Sequence, residues 1–130
     1  MSVLPARFYE PRADMPQVDL CYYPRLIADA MGKGKCGITF DTVRPHTLHR
    51  HQRVDHNKAL AMPEATRIKP ILVSADGYVL DGNHRLFANE QAHAQWINVI
   101  RLGIPFERAI TWLKLRPYVY EITPATPERT

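Results

Sequence analysis

The chain has 130 residues, enough for one hydrophobic core but not for two. Hydrophobic residues make up 45% and charged residues 23%, which argues against a disordered chain. Seventeen Lys and Arg against thirteen Asp and Glu leave a net charge of +4. This balance favours phosphate-bearing partners, either a nucleotide or DNA. Cys21 and Cys36 form neither a disulfide framework nor a metal-binding pair. We find no signal sequence or membrane-length apolar run, so we expect a cytoplasmic protein without a membrane partner.

Prolines and glycines divide the chain into three predicted parts. Residues 1–36 are predicted to form an N-terminal arm, irregular over 1–20, with one short helix over 24–31. Pro24 suits the first position of that helix, and Gly32 suits the position after its end. Residues 37–116 are predicted to form the domain, and residues 117–130, with three prolines, an extended tail.

The domain alternates between strand and helix patterns. Alternation of apolar and polar residues predicts a half-buried strand over 38–43. An Asp-Gly turn at 75–77 predicts a hairpin between two strands, and Pro105 begins a helix with apolar residues on one face. The predicted strands are 38–43, 69–74, 78–80 and 96–100, and the predicted helices are 51–62, 83–94 and 105–115. This order predicts an α+β fold, a small mixed β-sheet packed with helices.

The segment Asp81-Gly82-Asn83-His84-Arg85 carries the clearest functional signal. It lies where a predicted strand gives way to a helix, whose first backbone N–H groups lack internal partners and attract anions. Gly82 permits close approach of a ligand, and the planar guanidinium of Arg85 matches phosphate oxygens. Asp81 is a candidate proton acceptor or Mg²⁺ ligand. The same residues are also typical of a turn and helix cap, with Asp81 bracing Arg85, and this alternative stays open.

The wider segment Lys69 to Glu90, KPILVSADGYVLDGNHRLFANE, resembles the ParB N-terminal domain/sulfiredoxin superfamily, including short phage-encoded members. The resemblance covers residues 37–115 and implies a ParB/sulfiredoxin-like fold. The superfamily includes nucleotide-hydrolysing enzymes, kinases and DNA-partitioning proteins, so the resemblance does not choose an activity.

The functional residues of these families can be compared with this chain position by position. Sulfiredoxins have Gly-Gly-Cys-His-Arg in this loop, and Asn83 replaces their nucleophilic cysteine, which excludes sulfiredoxin chemistry. Gly82, His84 and Arg85 match the part of the loop that holds phosphate. Lys58 matches a sulfiredoxin lysine, whereas alanines at 61 and 65 replace the hydroxyl residues that follow it.

Other superfamily members leave further roles open. Partition proteins use Gly-Glu-Arg-Arg for the phosphates of CTP, a pattern that this chain lacks. A serine kinase with this fold uses an acidic base, for which Asp81, Asp55 and Asp41 are all candidates. The phage-type relatives carry a Gln at the position of Gln52, which suggests recognition of a base or sugar, or a helix cap.

Four histidines, at 46, 49, 51 and 56, fall within eleven residues. Their spacing fits no common zinc-ligand pair on a helix, and no cysteine lies nearby. We therefore expect a basic surface with Arg44, Arg50 and Arg53, which could extend the anion site towards DNA. Trp96 and Trp112 fall in patterned elements and are predicted to lie in the core.

The sequence leads to one main functional expectation and two alternatives. We expect a nucleotide-binding protein that holds the phosphates of ATP or CTP with Mg²⁺ and catalyses phosphoryl transfer or nucleotide hydrolysis. The predicted catalytic residues are Asp81, His84 and Arg85, with Asp81 also the metal ligand. The predicted nucleotide-binding residues are Gln52, Lys58, Gly82, Asn83, His84 and Arg85. The alternatives are a ParB-like nuclease or DNA-binding protein, and a non-enzymatic protein that binds a partner through its Pro-rich arms.

Overall fold

The computed structural model describes residues 4–9, 11–12, 15–33 and 35–121. They form an α+β protein of small mixed sheets packed with helices. The strands are β1 (Arg7–Phe8), β2 (Pro16–Val18), β3 (Ile38–Val43), β4 (His49–Arg50), β5 (Ile71–Val73), β6 (Val79–Asp81), β7 (Ile97–Leu102) and β8 (Val119–Glu121). The helices are α1 (Tyr23–Met31), α2 (His56–Leu60), α3 (Glu64–Arg67), α4 (Asn83–Gln91) and α5 (Phe106–Lys114).

A four-stranded sheet in the order β3-β7-β5-β6 forms the centre of the molecule. β3 runs antiparallel to β7, β7 is parallel to β5, and β5 is antiparallel to β6. The Ser74–Tyr78 turn joins the last pair, and Gly77 takes the positive φ of 87° that such a turn demands. β1 pairs in parallel with β4, and β2 pairs with β8 in the antiparallel direction.

Alternation along the central strands gives the sheet two apolar faces. On one face, Leu72, Leu80, Ile100 and Leu102 pack with apolar residues of α1 and α5. On the other, residues of β5, β6 and β7 pack with Leu86 of α4 and with Leu48. Helices on both sides of the sheet therefore bury β5, β6 and most of β7, and α4 begins just after the end of β6.

Several predicted elements are confirmed with small shifts in their ends. The hairpin, β7 and the helices α1, α4 and α5 all form where the sequence predicts them. Pro24 lies at the beginning of α1, and Pro105 caps α5. The apolar stripe of α5 is buried as predicted, by Phe106, Ala109, Ile110 and Leu113.

Five predictions about the outer parts of the fold are wrong. Residues 1–20 include two strands, and Met15 and Val18 lie in the core rather than in an irregular arm. The tail likewise begins with β8; residues 122–130 lie outside the described part of the chain. The helix predicted over 51–62 is confined to α2. Strand β3 is exposed on both faces at residues 39–42, and Trp96 is 54% exposed instead of buried.

Among the described residues, no helix has the length and apolar character needed to cross a membrane.

Candidate functional site

Gly82 makes the sharp junction between β6 and α4. Its φ of 100° and ψ of 23° place it in the left-handed region, which glycine adopts without steric cost. A Cβ atom at this position would lie 2.8 Å from Nη2 of Arg85 and 3.2 Å from Cγ1 of Ile71. The N-cap residue of α4 is Gly82, which has no side chain to cap the first turn. The first N–H groups of the helix therefore keep their capacity to bind an anion.

Asp81 and Arg85 lie in a buried polar network with Tyr23, on either side of this junction. The Tyr23 hydroxyl donates to Oδ2 of Asp81 and accepts from Nη2 of Arg85 at 2.7 Å. The same Arg85 nitrogen donates to the carbonyl of Pro70 at 3.0 Å and lies 3.6 Å from Oδ2 of Asp81. The backbone N–H of Val18 reaches Oδ1 of Asp81 at 3.4 Å. These side chains thus join the N-terminal segment to the centre of the fold.

Burial sets the ionisation of this network. Desolvation, followed by the negative charge of Asp81, raises the pKa of Tyr23 well above its usual range. Tyr23 therefore keeps its proton and acts as a donor to Asp81. Burial also raises the pKa of Asp81, against the opposing effects of the Tyr23 hydrogen bond and the Arg85 charge. Both carboxylate oxygens of Asp81 have partners within the protein, which agrees with a bracing role for this residue.

Asn83 holds the irregular segment before α2 against the beginning of α4. Its side-chain nitrogen donates to the carbonyls of Gln52 and Arg53 at 3.2 and 3.1 Å. Its oxygen accepts from Nη1 of Arg50 at 3.4 Å. Asn83 is 5% exposed, so its side-chain amide makes these internal hydrogen bonds and is not accessible to solvent.

His84 lies half-buried between α2 and α4. Its Nε2 accepts a hydrogen bond from the backbone N–H of Asp55 at 3.0 Å. An accepting Nε2 in a neutral imidazole leaves the proton on Nδ1, which is then a donor. Burial lowers the pKa of His84, and the positive charges of Lys58 and Arg50 lower it further, while Asp55 opposes them.

Hydrogen bonds bring three basic residues to the beginning of α4: Arg50 contacts Asn83 at 3.4 Å, and Asp55, which contacts His84, also accepts from the backbone N–H of Lys58. We call Arg50, Lys58 and His84 the basic cluster. Lys58 is exposed and extends from α2, which packs against α4. Arg50 is half-buried, and its Nε has no hydrogen-bond partner among the described residues. The cluster combines the charges of Arg50 and Lys58 with the backbone N–H groups at the beginning of a helix, which is what an anion site needs.

The remaining candidate residues have other surroundings. Gln52 contributes a backbone carbonyl to Asn83, and its side chain is half-buried. Asp55 caps α2 by accepting from the backbone N–H of Lys58 at 3.2 Å. Asp41 lies on β3 and forms an ion pair with Arg101 of β7 at 3.6 Å. The structure therefore brings Asp55 to the basic cluster and places Asp41 on a different part of the sheet.

Two residues that are important to this region are not predicted from the sequence. Tyr23 gives no local signal, because its partners lie about sixty positions away. Asn89 is 7% exposed, accepts from Nη1 of Arg67 at 2.9 Å, and donates to the carbonyls of Arg67 and Arg85. Its spacing of four from Arg85 on a helix is the one signal that could have found it.

The histidine-rich segment is largely an aromatic assembly. His51 stacks on Tyr78 and Phe106, with ring centroids 5.4 and 5.1 Å apart. His49 packs against Tyr9 and Tyr78. In the described parts of the chain, no three His, Cys, Asp or Glu side chains are grouped so as to hold a metal ion. The basic surface expected here is thus reduced mainly to Arg44, Arg53 and His46, which are exposed.

Comparison with known proteins gave no match: no protein-family model, curated protein or solved structure is significantly similar to this chain. A function for this chain is therefore inferred from the geometry of its own residues.

Proposed function

We propose that this protein binds the phosphates of a nucleotide, ATP or CTP, at the basic cluster and the first turn of α4. The observation that supports this most directly is that hydrogen bonds through Asn83 and Asp55 hold Arg50, Lys58 and His84 at the beginning of α4, whose N-cap residue is Gly82. A phosphate there would accept hydrogen bonds from Nδ1 of His84 and from the backbone, and would offset the charges of Arg50 and Lys58.

A ParB/sulfiredoxin-like fold is part of the same proposal. It is supported by the order strand, Asp-Gly turn, strand, Gly82 and helix over residues 71–91. The role of Arg85 within it is to fix the junction from inside, since its guanidinium is bound to Tyr23 and Pro70.

Phosphoryl transfer or nucleotide hydrolysis receives less support from the geometry than binding does. Asp81 is 5% exposed and has internal partners on both oxygens, so it does not fit a Mg²⁺ ligand or a proton acceptor for an incoming substrate. We therefore derive no metal-dependent step. Among the acidic candidates, Asp55 is the one beside His84.

Isothermal titration calorimetry with Lys58→Ala tests the binding site. Lys58 is exposed, so its loss should leave the fold intact, whereas Arg85→Ala would disrupt a buried network. Removing one charged contact costs about 1.5–3 kcal/mol, or a roughly ten- to hundredfold rise in Kd for ATP or CTP. Arg108→Ala removes one positive charge from α5 and should leave Kd unchanged. Equal affinity of Lys58→Ala and wild type, or no binding of ATP, CTP or inorganic triphosphate to wild type, would refute the proposal.

A DNA-directed role is the second candidate, and the exposed side chains of Arg44, His46, Arg53 and Lys58 favour it. Contacts with the phosphate backbone predict an affinity that falls steeply with salt. Mobility shifts with duplex DNA between about 50 and 200 mM salt measure this dependence. A flat response, or no shift at the lowest salt, would remove this candidate.

A further inference from the structure

Strand β3 forms one edge of the central sheet and has few of the features that protect such edges. Its pairing with β7 continues without a register shift from Ile38 opposite Leu102 to Val43 opposite Ile97. Proteins usually protect long edge strands with a bulge, a proline or a lysine, because the outer N–H and C=O groups can pair with another chain. β3 contains none of these, and the charge of Asp41 is balanced by Arg101. One outer group is already occupied, because the backbone N–H of Thr42 donates to Oδ1 of Asp41 at 2.8 Å. The outer edge at Ile38 and Phe40 is therefore the part suited to accept an added strand.

An apolar side chain and a groove lie along the same strand. Phe40 is 64% exposed, although it is a large apolar residue at the middle of β3. A groove of about 480 Å³ runs beside it, lined by Phe40, Asp41, Thr42, Pro70, Asn98 and Val99. An extended chain places alternate side chains on the same face. A chain paired with β3 would thus place apolar side chains near Phe40 and the groove.

The charges around this edge identify the kind of chain that fits. Lys33 and Lys35 precede β3, Arg44 follows it, and Lys69 adjoins the groove residue Pro70; all four are exposed. A second copy of this protein is a poor partner, because antiparallel pairing would bring Lys35 of each copy near Arg44 of the other. Acidic residues flanking an apolar segment would instead meet basic residues at both ends of β3.

We propose that the outer edge of β3 binds an acidic, extended peptide segment of another protein as a fifth strand of the sheet. Main-chain hydrogen bonds provide the pairing, Phe40 and its groove select apolar side chains, and the four basic residues select acidic flanks. This interaction surface is separate from the basic cluster and does not depend on nucleotide binding.

Peptide titration monitored by ¹H–¹⁵N NMR tests the inference. The probe is the capped peptide Glu-Glu-Val-Thr-Val-Thr-Val-Glu-Glu, and its control has Lys in place of every Glu. The acidic peptide should slow amide exchange at alternate residues of β3, and the lysine peptide should bind at least about tenfold more weakly. No change in β3 amides, or equal binding of both peptides, would overturn the proposal.

Two variants distinguish a specific site on β3 from nonspecific binding to exposed apolar side chains. Phe40→Thr replaces the aromatic ring with a β-branched residue that also favours strands, and it should weaken binding of the acidic peptide about tenfold. Tyr120→Thr removes a comparably exposed aromatic residue, 52% exposed, from β8 and should leave binding unchanged. Equal loss in both variants would contradict a specific site on β3. Analytical ultracentrifugation would reveal a dimer of the wild-type protein. If Phe40→Thr converted such a dimer to a monomer, the partner of β3 would be a second copy of this chain and not a peptide of another protein.

Discussion

Tyr23→Phe removes one oxygen atom from the centre of the buried network and leaves the aromatic ring in place. The lost hydroxyl donates to Asp81 and accepts from Arg85 at 2.7 Å, and Tyr23 is 5% exposed. A hydrogen bond to a charged group contributes about 1.5–3 kcal/mol. The two bonds share one network and are not additive, so we expect a loss of about 2–4 kcal/mol in the free energy of unfolding.

Urea denaturation followed by far-UV circular dichroism measures this loss from the midpoint and slope of the transition. Tyr120→Phe is the matched control, because its hydroxyl contacts Asp19 at 3.2 Å on the surface. Surface substitutions of this kind change stability by within about 0.5 kcal/mol. If Tyr23→Phe costs no more than Tyr120→Phe, the network does not stabilise the fold in the way we infer.

Two further predictions concern the junction and His84. Gly82→Ala should destabilise the fold by about 2–4 kcal/mol, because φ is 100° and the added Cβ would displace Arg85. In the same urea assay Gly32→Ala, which would meet only the flexible Lys35 side chain, should stay within about 0.5 kcal/mol of wild type. The pKa of His84 is lowered by burial and then by Lys58, so its contribution to stability is present above about pH 6.5 and is lost as pH falls towards the folded pKa. His84→Gln keeps an acceptor for the backbone N–H of Asp55 but has no imidazole to protonate, so its stability should not fall in this pH range. Urea titrations at several pH values give the free energy of unfolding of both proteins. An equal dependence of this free energy on pH would show that His84 is not the group responsible.

Local signals predict the central elements because the forces that form them are local. Pro105 begins α5, and the apolar spacing that follows matches the face buried against the sheet. The turn at Gly77 and the junction at Gly82 both require a positive φ, and glycine marks each in the sequence. These features place α4 directly after β6, and the candidate anion site follows from that placement.

Long-range contacts explain most of the wrong predictions. The helix expected over 51–62 begins late because Asn83 binds the carbonyls of Gln52 and Arg53, which a helix would need for itself. Asp55 then caps the shortened α2. The N-terminal segment is ordered by contacts made about sixty residues away, through Val18 and Tyr23, and no local pattern contains that information.

The contacts also divide the five-residue motif into two kinds of residue. Asp81, Asn83 and Arg85 are buried and hydrogen-bonded within the protein, although Nε of Arg85 has no partner among the described residues, while Gly82 supplies the backbone angle. We propose that an anion is recognised by the first N–H groups of α4 and the basic cluster. Substitutions of the buried residues therefore report on stability first, and Lys58 is the position at which ligand binding can be tested without disturbing the fold.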